Sequence, residues 1–280
     1  MTVHASQHAK AVLLQKLHQG PAILVIANAW DAASARVFEL AGFRAIGTTS
    51  AGIAASYGYP DGERISRAEM LEAIKRIAGQ VELPVSADIE MGYGDSVAEV
   101  VDTVREVIAA GAVGVNLEDA AGFASNALVD LNLQVEKIRA VRKAVDASGI
   151  PIVVNARTDT YWLKIGAEAG RFAETVRRLE AYRVAGADCL FAPGLIGAET
   201  IKHLVAQINA PLNILTMPGC PTVPELQQLG VARVSEGSGP MRATMAATRR
   251  IAEELLQHGT YTSFLRDTIP YAEANRMFEK

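Results

Sequence analysis

AAGAVGVNLED, residues 109–119, runs from the end of a helical pattern through a glycine into a short apolar segment, and stops on two acids. Its first phrase recurs as LAGFRAI (40–46), VAGADCL (184–190) and QLGVARV (228–234). Gly42, Gly111, Gly186 and Gly230 each stand where a left-handed residue would end a helix before the next strand. Eight β-rich segments follow this grammar: AILVIA, RAIGTT, LPVSAD, VGVNLE, IPIVVNA, ADCLFA, PLNILT and VARVSE. Apolar residues at helical spacing fill the gaps, as in SVAEVVDTVREVIAAG and RFAETVRRLEAYRVAG. Strand alternating with helix predicts an α/β fold with a parallel sheet. Eight units in roughly 250 residues match a closed (β/α)8 TIM barrel. An open doubly wound sheet would carry G-x-G-x-x-G after its first strand, where this chain has NAWDAASA. The reading is one barrel domain over residues 1–280, with TYTSFLRDTIPYAEANRMFEK as an additional C-terminal helix.

Half of the residues are hydrophobic and 21% are charged, the composition of a globular protein. A net charge of −4 with scattered Lys and Arg offers no basic stripe, which argues against nucleic acid. No apolar run is long enough to cross a bilayer, and the first twenty residues lack a signal-peptide core. Cys189 and Cys220 are far apart, which fits a reducing compartment and a cytoplasmic location.

Polar residues gather where the strands end. PVSADIEMGYGDS (84–96) ends a strand on Asp88 and Glu90 and continues through Gly92, Tyr93 and Gly94. The other ends carry Asn28 and Asp31, Thr48 to Ser50, Asn116 with Glu118 and Asp119, Asn155 with Arg157 and Asp159, then Asn213, Thr216 and Glu236. In a barrel, catalytic groups come from this end. Bare carboxylates on adjacent strands repel one another, and oxygen-only ligands favour Mg²⁺ or Mn²⁺. No histidine falls at a strand end, which removes a His-based zinc site or a Ser-His-Asp triad. Taken singly, each acid also reads as a cap or turn residue. Asp119 and Asp159 read equally as residues that orient a neighbour, and Glu236 as structural. Arg157 reads as a fork for a substrate carboxylate or an oxyanion, or as the partner of a strand-end acid. TTSAG (48–52) could cradle an anion. Tyr93 is a general acid or a packed loop aromatic.

These motifs together resemble the isocitrate lyase and phosphoenolpyruvate mutase superfamily. SADIEMGYG resembles its D-x-D-x-G-Y-G metal motif, NLED its I-E-D strand end, NARTD its A-R-T-D and TTSAG its substrate loop. The resemblance implies a barrel whose terminal helix is exchanged between subunits, a homotetramer built as a dimer of dimers, Mg²⁺, and a 2-oxo-acid or enolate substrate. It further implies that Asp88 holds the metal, with Glu90, Glu118 and Asp61 reaching it mostly through water. Ser50, Ala51 and Gly52 would grip the substrate carboxylate, and Arg157 would face the developing enolate oxygen. The departures bear on the reaction. The lyase branch has K-K/R-C-G-H after strand four, but AAGFASNALVD here has no Cys, Lys or His. The mutase branch has K-x-N-S there; Asn126 matches its Asn, while Ala124 replaces its Lys. After strand six, Pro193 and Gly194 replace the mutase His and the lyase Pro-Glu.

The expectation is therefore a Mg²⁺-dependent lyase that cleaves a C–C bond in, or decarboxylates, a small 2-oxo or hydroxy dicarboxylic acid. Water or Tyr93 would protonate the product. The alternatives are P–C bond chemistry on a phosphonate, motivated by Asn126, and a non-catalytic barrel that binds a 2-oxo acid.

Overall fold

Strand and helix alternate until the sheet closes on itself in the computed structural model, which describes residues 3–122, 125–266 and 268–279. Helix α1 (Val3–His18) precedes β1 (Leu24–Ala29) and α2 (Ala32–Leu40). Strand β2 (Ile46–Thr48) leads into α3 (Ser50–Ser56) and α4 (Arg67–Gln80). Then follow β3 (Val85–Asp88), α5 (Val97–Ala109), β4 (Gly114–Glu118), α6 (Leu131–Ser148), β5 (Val153–Arg157) and α7 (Glu168–Ala185). The circuit ends with β6 (Cys189–Phe191), α8 (Ala198–Gln207), β7 (Leu212–Leu215), α9 (Val223–Gln228), β8 (Arg233–Ser235) and α10 (Gly239–His258). Each strand pairs in parallel with the next and β8 pairs with β1, so the barrel has no open edge. Each of the eight apolar segments holds one strand. The four repeated glycines all take left-handed backbone, with φ of 94°, 96°, 109° and 87°, as a cap between helix and strand requires.

Two elements depart from the sequence reading. Helix α1 was not foreseen, because among its described side chains the apolar residues buried are Ala11, Leu14 and Leu17, while buried Gln7 and His18 interrupt the apolar pattern. Gln7 Nε2 donates to the carbonyls of Ile108 (2.7 Å) and Ala112 (3.1 Å), and Leu14 packs against Gly114 at the start of β4. Helix α1 therefore covers the N-terminal mouth of the barrel. At the other end of the chain, the surplus is two short helices rather than one. Gly259 ends α10, and α11 (Thr262–Arg266) and α12 (Tyr271–Arg276) follow, the latter starting after Pro270. Among the described residues no helix is long and apolar enough to cross a membrane.

His18 lies buried at the end of α1, within reach of the Arg233 charge. Its Nδ1 lies 2.7 Å from the Leu14 carbonyl, and burial, then the Arg233 charge, push its pKa down to about 4. The folded state thus resists protonation that the unfolded chain accepts near pH 6.5. Stability should rise with pH between about 4 and 6.5 and be lost on acidification through that window, by up to roughly 3 kcal/mol. Urea titrations of wild type and His18→Gln from pH 4 to 7 check this, the variant having the flatter profile.

Candidate active site

Parallel register brings the strand-end polar groups side by side: Asp88 is level with Asn116, Glu118 with Arg157, and Arg157 with Phe191. Above them lie two cavities. The larger, about 300 Å³, is lined by Ser50, Ala51, Asp88, Asn116 and Arg157 among others. The smaller, about 150 Å³, is lined by Glu90, Glu118 and Asp159, and Asp61 and Arg157 border both.

Arg157 is held on two sides. Its Nε and Nη2 donate to the two carboxylate oxygens of Asp159 (2.6 and 3.0 Å), and its Nη1 lies 2.7 Å from Glu118 Oε2. The Phe191 ring lies 5.7 Å from the guanidinium carbon. Burial opposes the charge, but Asp159 and Glu118 outweigh it and hold Arg157 more firmly protonated than usual. A guanidinium carries five N–H donors, so some remain for the cavity. Arg157 pairs with strand-end acids, as one of the two sequence readings has it, and it also borders the cavity. Asp159 is fixed in turn, because Asp119 Oδ1 accepts its N–H (2.8 Å). The other oxygen of fully buried Asp119 takes Arg178 Nη1 (3.1 Å) and Tyr182 Oη (2.5 Å) from α7. Asp119 and Asp159 therefore orient their neighbours.

On the opposite wall, Asp88 Oδ2 accepts from the Ser50 N–H (3.1 Å) and hydroxyl (2.8 Å), while Thr48 Oγ1 accepts the Asp88 N–H (2.8 Å). In the first turn of α3, Thr49 Oγ1 caps the Gly52 N–H at 3.3 Å. The Ala51 N–H between them has no acceptor among the described residues and borders the cavity.

The loop after β3 is strained and braced. Glu90, Tyr93 and Glu63 are non-glycine residues with φ of 50°, 56° and 55°, each costing on the order of 1–3 kcal/mol. Glu90 Oε2 accepts the Glu63 N–H (2.7 Å) and Glu63 Oε1 accepts the Tyr93 N–H (2.8 Å), so the two loops hold each other in this form. Gly92 is required here: at its φ of 103° a Cβ would lie 2.8 Å from Val100. Burial, then Asp61 and Asp88, push Glu90 up to about 8. Glu118 is raised well above the usual range by burial although Arg157 pulls it down, and Asp61 is raised by burial and then by Asp88.

A profile of phosphoenolpyruvate phosphomutase matches residues 14–256. The chain belongs to the phosphoenolpyruvate phosphomutase family, within the isocitrate lyase/phosphoenolpyruvate mutase superfamily. It is 36% identical over 257 residues, 92% of each chain, to an uncharacterized protein of Mycobacterium tuberculosis. It is 30% identical to the 2-methylisocitrate lyase of Bacillus subtilis, over 94% of this chain and 87% of the lyase. A crystal structure of a candidate lyase/mutase from Burkholderia cenocepacia J2315 superposes with a TM-score of 0.92 at 38% identity, covering 99% and 98% of the two chains.

In this phosphomutase-family site, Asp61, Asp88, Glu90 and Glu118 offer oxygens only, and among the described residues Arg157 is the cation embedded among them. The raised carboxylates mark negative charge left uncompensated, so the donor set fits a hard divalent cation by its chemistry. Their spacing does not converge: among the described residues no three acids, His or Cys lie at metal-holding distance. Glu118 instead faces Arg157, and Glu90 faces Glu63.

Other residues lie further out. Tyr93 Oη donates to Glu90 Oε1 (3.3 Å), lines neither cavity and is raised beyond its usual range, first by burial and then by Glu90. Asn126 is exposed on the loop closed by the Ala120–Leu128 bridge and borders neither cavity. Ala124 lies outside the described residues. Glu236 borders the larger cavity, its N–H held by Asn28 Oδ1 (2.8 Å). A Cβ at Gly194 would lie 2.9 Å from the Trp162 backbone nitrogen, so no side chain fits there. Sequence reasoning missed Arg242 and Trp162, which border the larger cavity from α10 and from the loop after β5. Neither stands at a strand end, where the search was made.

Asp119→Asn should leave Arg178 and the Asp159 turn without their buried charge partner. Denaturant unfolding is expected to report a loss of about 3–5 kcal/mol.

Proposed function

We propose that this barrel is a Mg²⁺-dependent lyase that cleaves a C–C bond in, or decarboxylates, a small 2-oxo or hydroxy dicarboxylic acid through an enolate. One observation carries the reading: the open Ala51 N–H beside Ser50 and Asp88 faces the fixed Arg157 guanidinium across one cavity of about 300 Å³. A substrate carboxylate seats on the first turn of α3, where an N–H is available. The oxygen that gains charge as the bond breaks meets Arg157, a donor already oriented by Glu118 and Asp159. Arg242, at the same cavity, supplies a second guanidinium for a distal carboxylate. Asp88, Asp61, Glu90 and Glu118 would hold Mg²⁺, or Mn²⁺ in its place, and the ion when bound polarises the carboxylate and carbonyl oxygens of the substrate.

Among the described residues, no Cys, Lys or His borders either cavity. The proton that quenches the product carbanion therefore comes from water, in line with the missing Cys after β4. Similarity to 2-methylisocitrate lyase supports C–C cleavage, whereas the family match favours the second reading, P–C chemistry on a phosphonate. In that reading the loop bearing Asn126 would close over the cavity. Assembly as a dimer of dimers with exchanged terminal helices is supported by Leu256, Leu265 and Tyr271, exposed along that segment.

An assay for released oxo acid over hydroxy acids, oxo acids and phosphonates, with Mg²⁺ and with EDTA, tests the proposal. Metal-dependent release from a dicarboxylate is the expected result. Consumption of phosphonopyruvate that stops in Asn126→Ala would replace it with the second reading, and tight oxo-acid binding without turnover would mean a silent barrel. Arg157→Lys keeps the charge and loses the fork, so kcat should fall by about 10²–10³ with thermal stability largely kept.

A further inference from the structure

Asn116 on β4 borders the larger cavity, level with Asp88 on β3, and is otherwise buried. Its Oδ1 accepts two hydrogen bonds, from Asn155 Nδ2 (2.8 Å) and from Arg233 Nη2 (3.3 Å). Two donors on one oxygen fix which way an amide faces. The Nδ2 of Asn116 must then point away from them, and among the described residues it has no acceptor. Both donors are fully buried inside the barrel. Arg233 is the unusual one, since among the described residues its Nε and Nη1 have no hydrogen-bond partner. An arginine keeps its charge when buried, and its desolvation costs several kcal/mol. What its Nη2 reaches is the Asn116 carbonyl oxygen, which that charge polarises, and a polarised amide is a stronger N–H donor.

We infer that Asn116 is a substrate-binding residue whose Nδ2 donates to a carboxylate or enolate oxygen of the anionic ligand, with Asn155 and Arg233 as its positioning residues. The inference deepens the oxo-acid reading and rests on it. An oxygen acceptor is selected at this spot, because a ligand bearing a donor there meets an N–H that cannot turn away. Arg233 also adds positive potential beneath a cavity whose ligand is an anion.

Asn116→Asp tests this without removing the acceptor on which Asn155 and Arg233 depend. One carboxylate oxygen still receives both bonds and now pairs with the Arg233 charge, so the melting temperature should be unchanged or higher. The other oxygen faces the cavity as an acceptor. Oxalate, a dianion that resembles the enolate of a small 2-oxo acid, serves as the probe in calorimetric titrations at saturating Mg²⁺, and Mn²⁺ affinity is measured separately. The expected result is an oxalate Kd raised by about tenfold or more, with Mn²⁺ binding not weakened. An oxalate Kd equal to wild type in a folded Asn116→Asp would overturn the inference and leave the lyase reading standing. Wild type that binds neither oxalate nor any oxo acid would overturn both. Should Asn116→Asp fail to fold, Asn116→Ser, whose hydroxyl is too short to reach the ligand, decides by the same comparison.

Discussion

Arg157 spans Glu118 at the end of β4 and Asp159 just beyond β5, and Asp159 is itself held through its N–H by Asp119. None of these groups is affordable alone, because an unpaired ion in such a place loses several kcal/mol of hydration. Together they satisfy one another, with Arg178 and Tyr182 completing Asp119 from the helix layer. The position of the guanidinium is thereby set by two strands and a helix at once. A donor fixed in this way needs no rearrangement when charge develops opposite it.

The balance of charge at the barrel mouth follows from that arrangement. One guanidinium sits among Asp61, Asp88, Glu90, Glu118 and Asp159, so the acids outnumber it. The excess appears as carboxylates raised by burial and mutual repulsion, Glu90 to about 8. Backbone strain gathers at the same place: Glu63, Glu90 and Tyr93 hold left-handed conformations through reciprocal hydrogen bonds between two loops. Below this acidic rim, Arg233 lies in the barrel core. The cavity thus has carboxylates at its side and a buried guanidinium beneath, the charge pattern on which the proposed reading rests.

Within this family the chain is similar both to proteins named for P–C chemistry and to a lyase of 2-methylisocitrate. The local structure bears on two of the positions that distinguish the branches. Gly194 stands where the backbone of Trp162 leaves no room for a side chain, and the loop after β4 carries Asn126 outward on a short bridged turn. In the proposed reading, the chemistry that remains would fall to Arg157, the first turn of α3 and the acids around Asp88.

Several features were legible in the sequence because they depend on local rules. A strand and a helix repeat eight times, with a left-handed glycine marking four of the junctions, and that repetition specifies a closed barrel. Because such a barrel exposes the ends of its strands on one side, the acids Asp88, Glu90 and Glu118 and the base Arg157 could be assigned to one mouth. The sequence left open which of two roles each charged group takes, since Arg157, Asp119 and Asp159 are distinguished only by what lies across a strand or a helix. Helix α1 was missed because buried Gln7 is satisfied by the Ile108 and Ala112 carbonyls, which the chain brings near only after folding, and because buried His18 interrupts the apolar pattern. Arg242 and Trp162 were missed because they reach the cavity from outside the strand ends. Periodicity and turn chemistry determined the barrel; the pairing of charges, which depends on distances across the closed sheet, was decided by the tertiary structure alone.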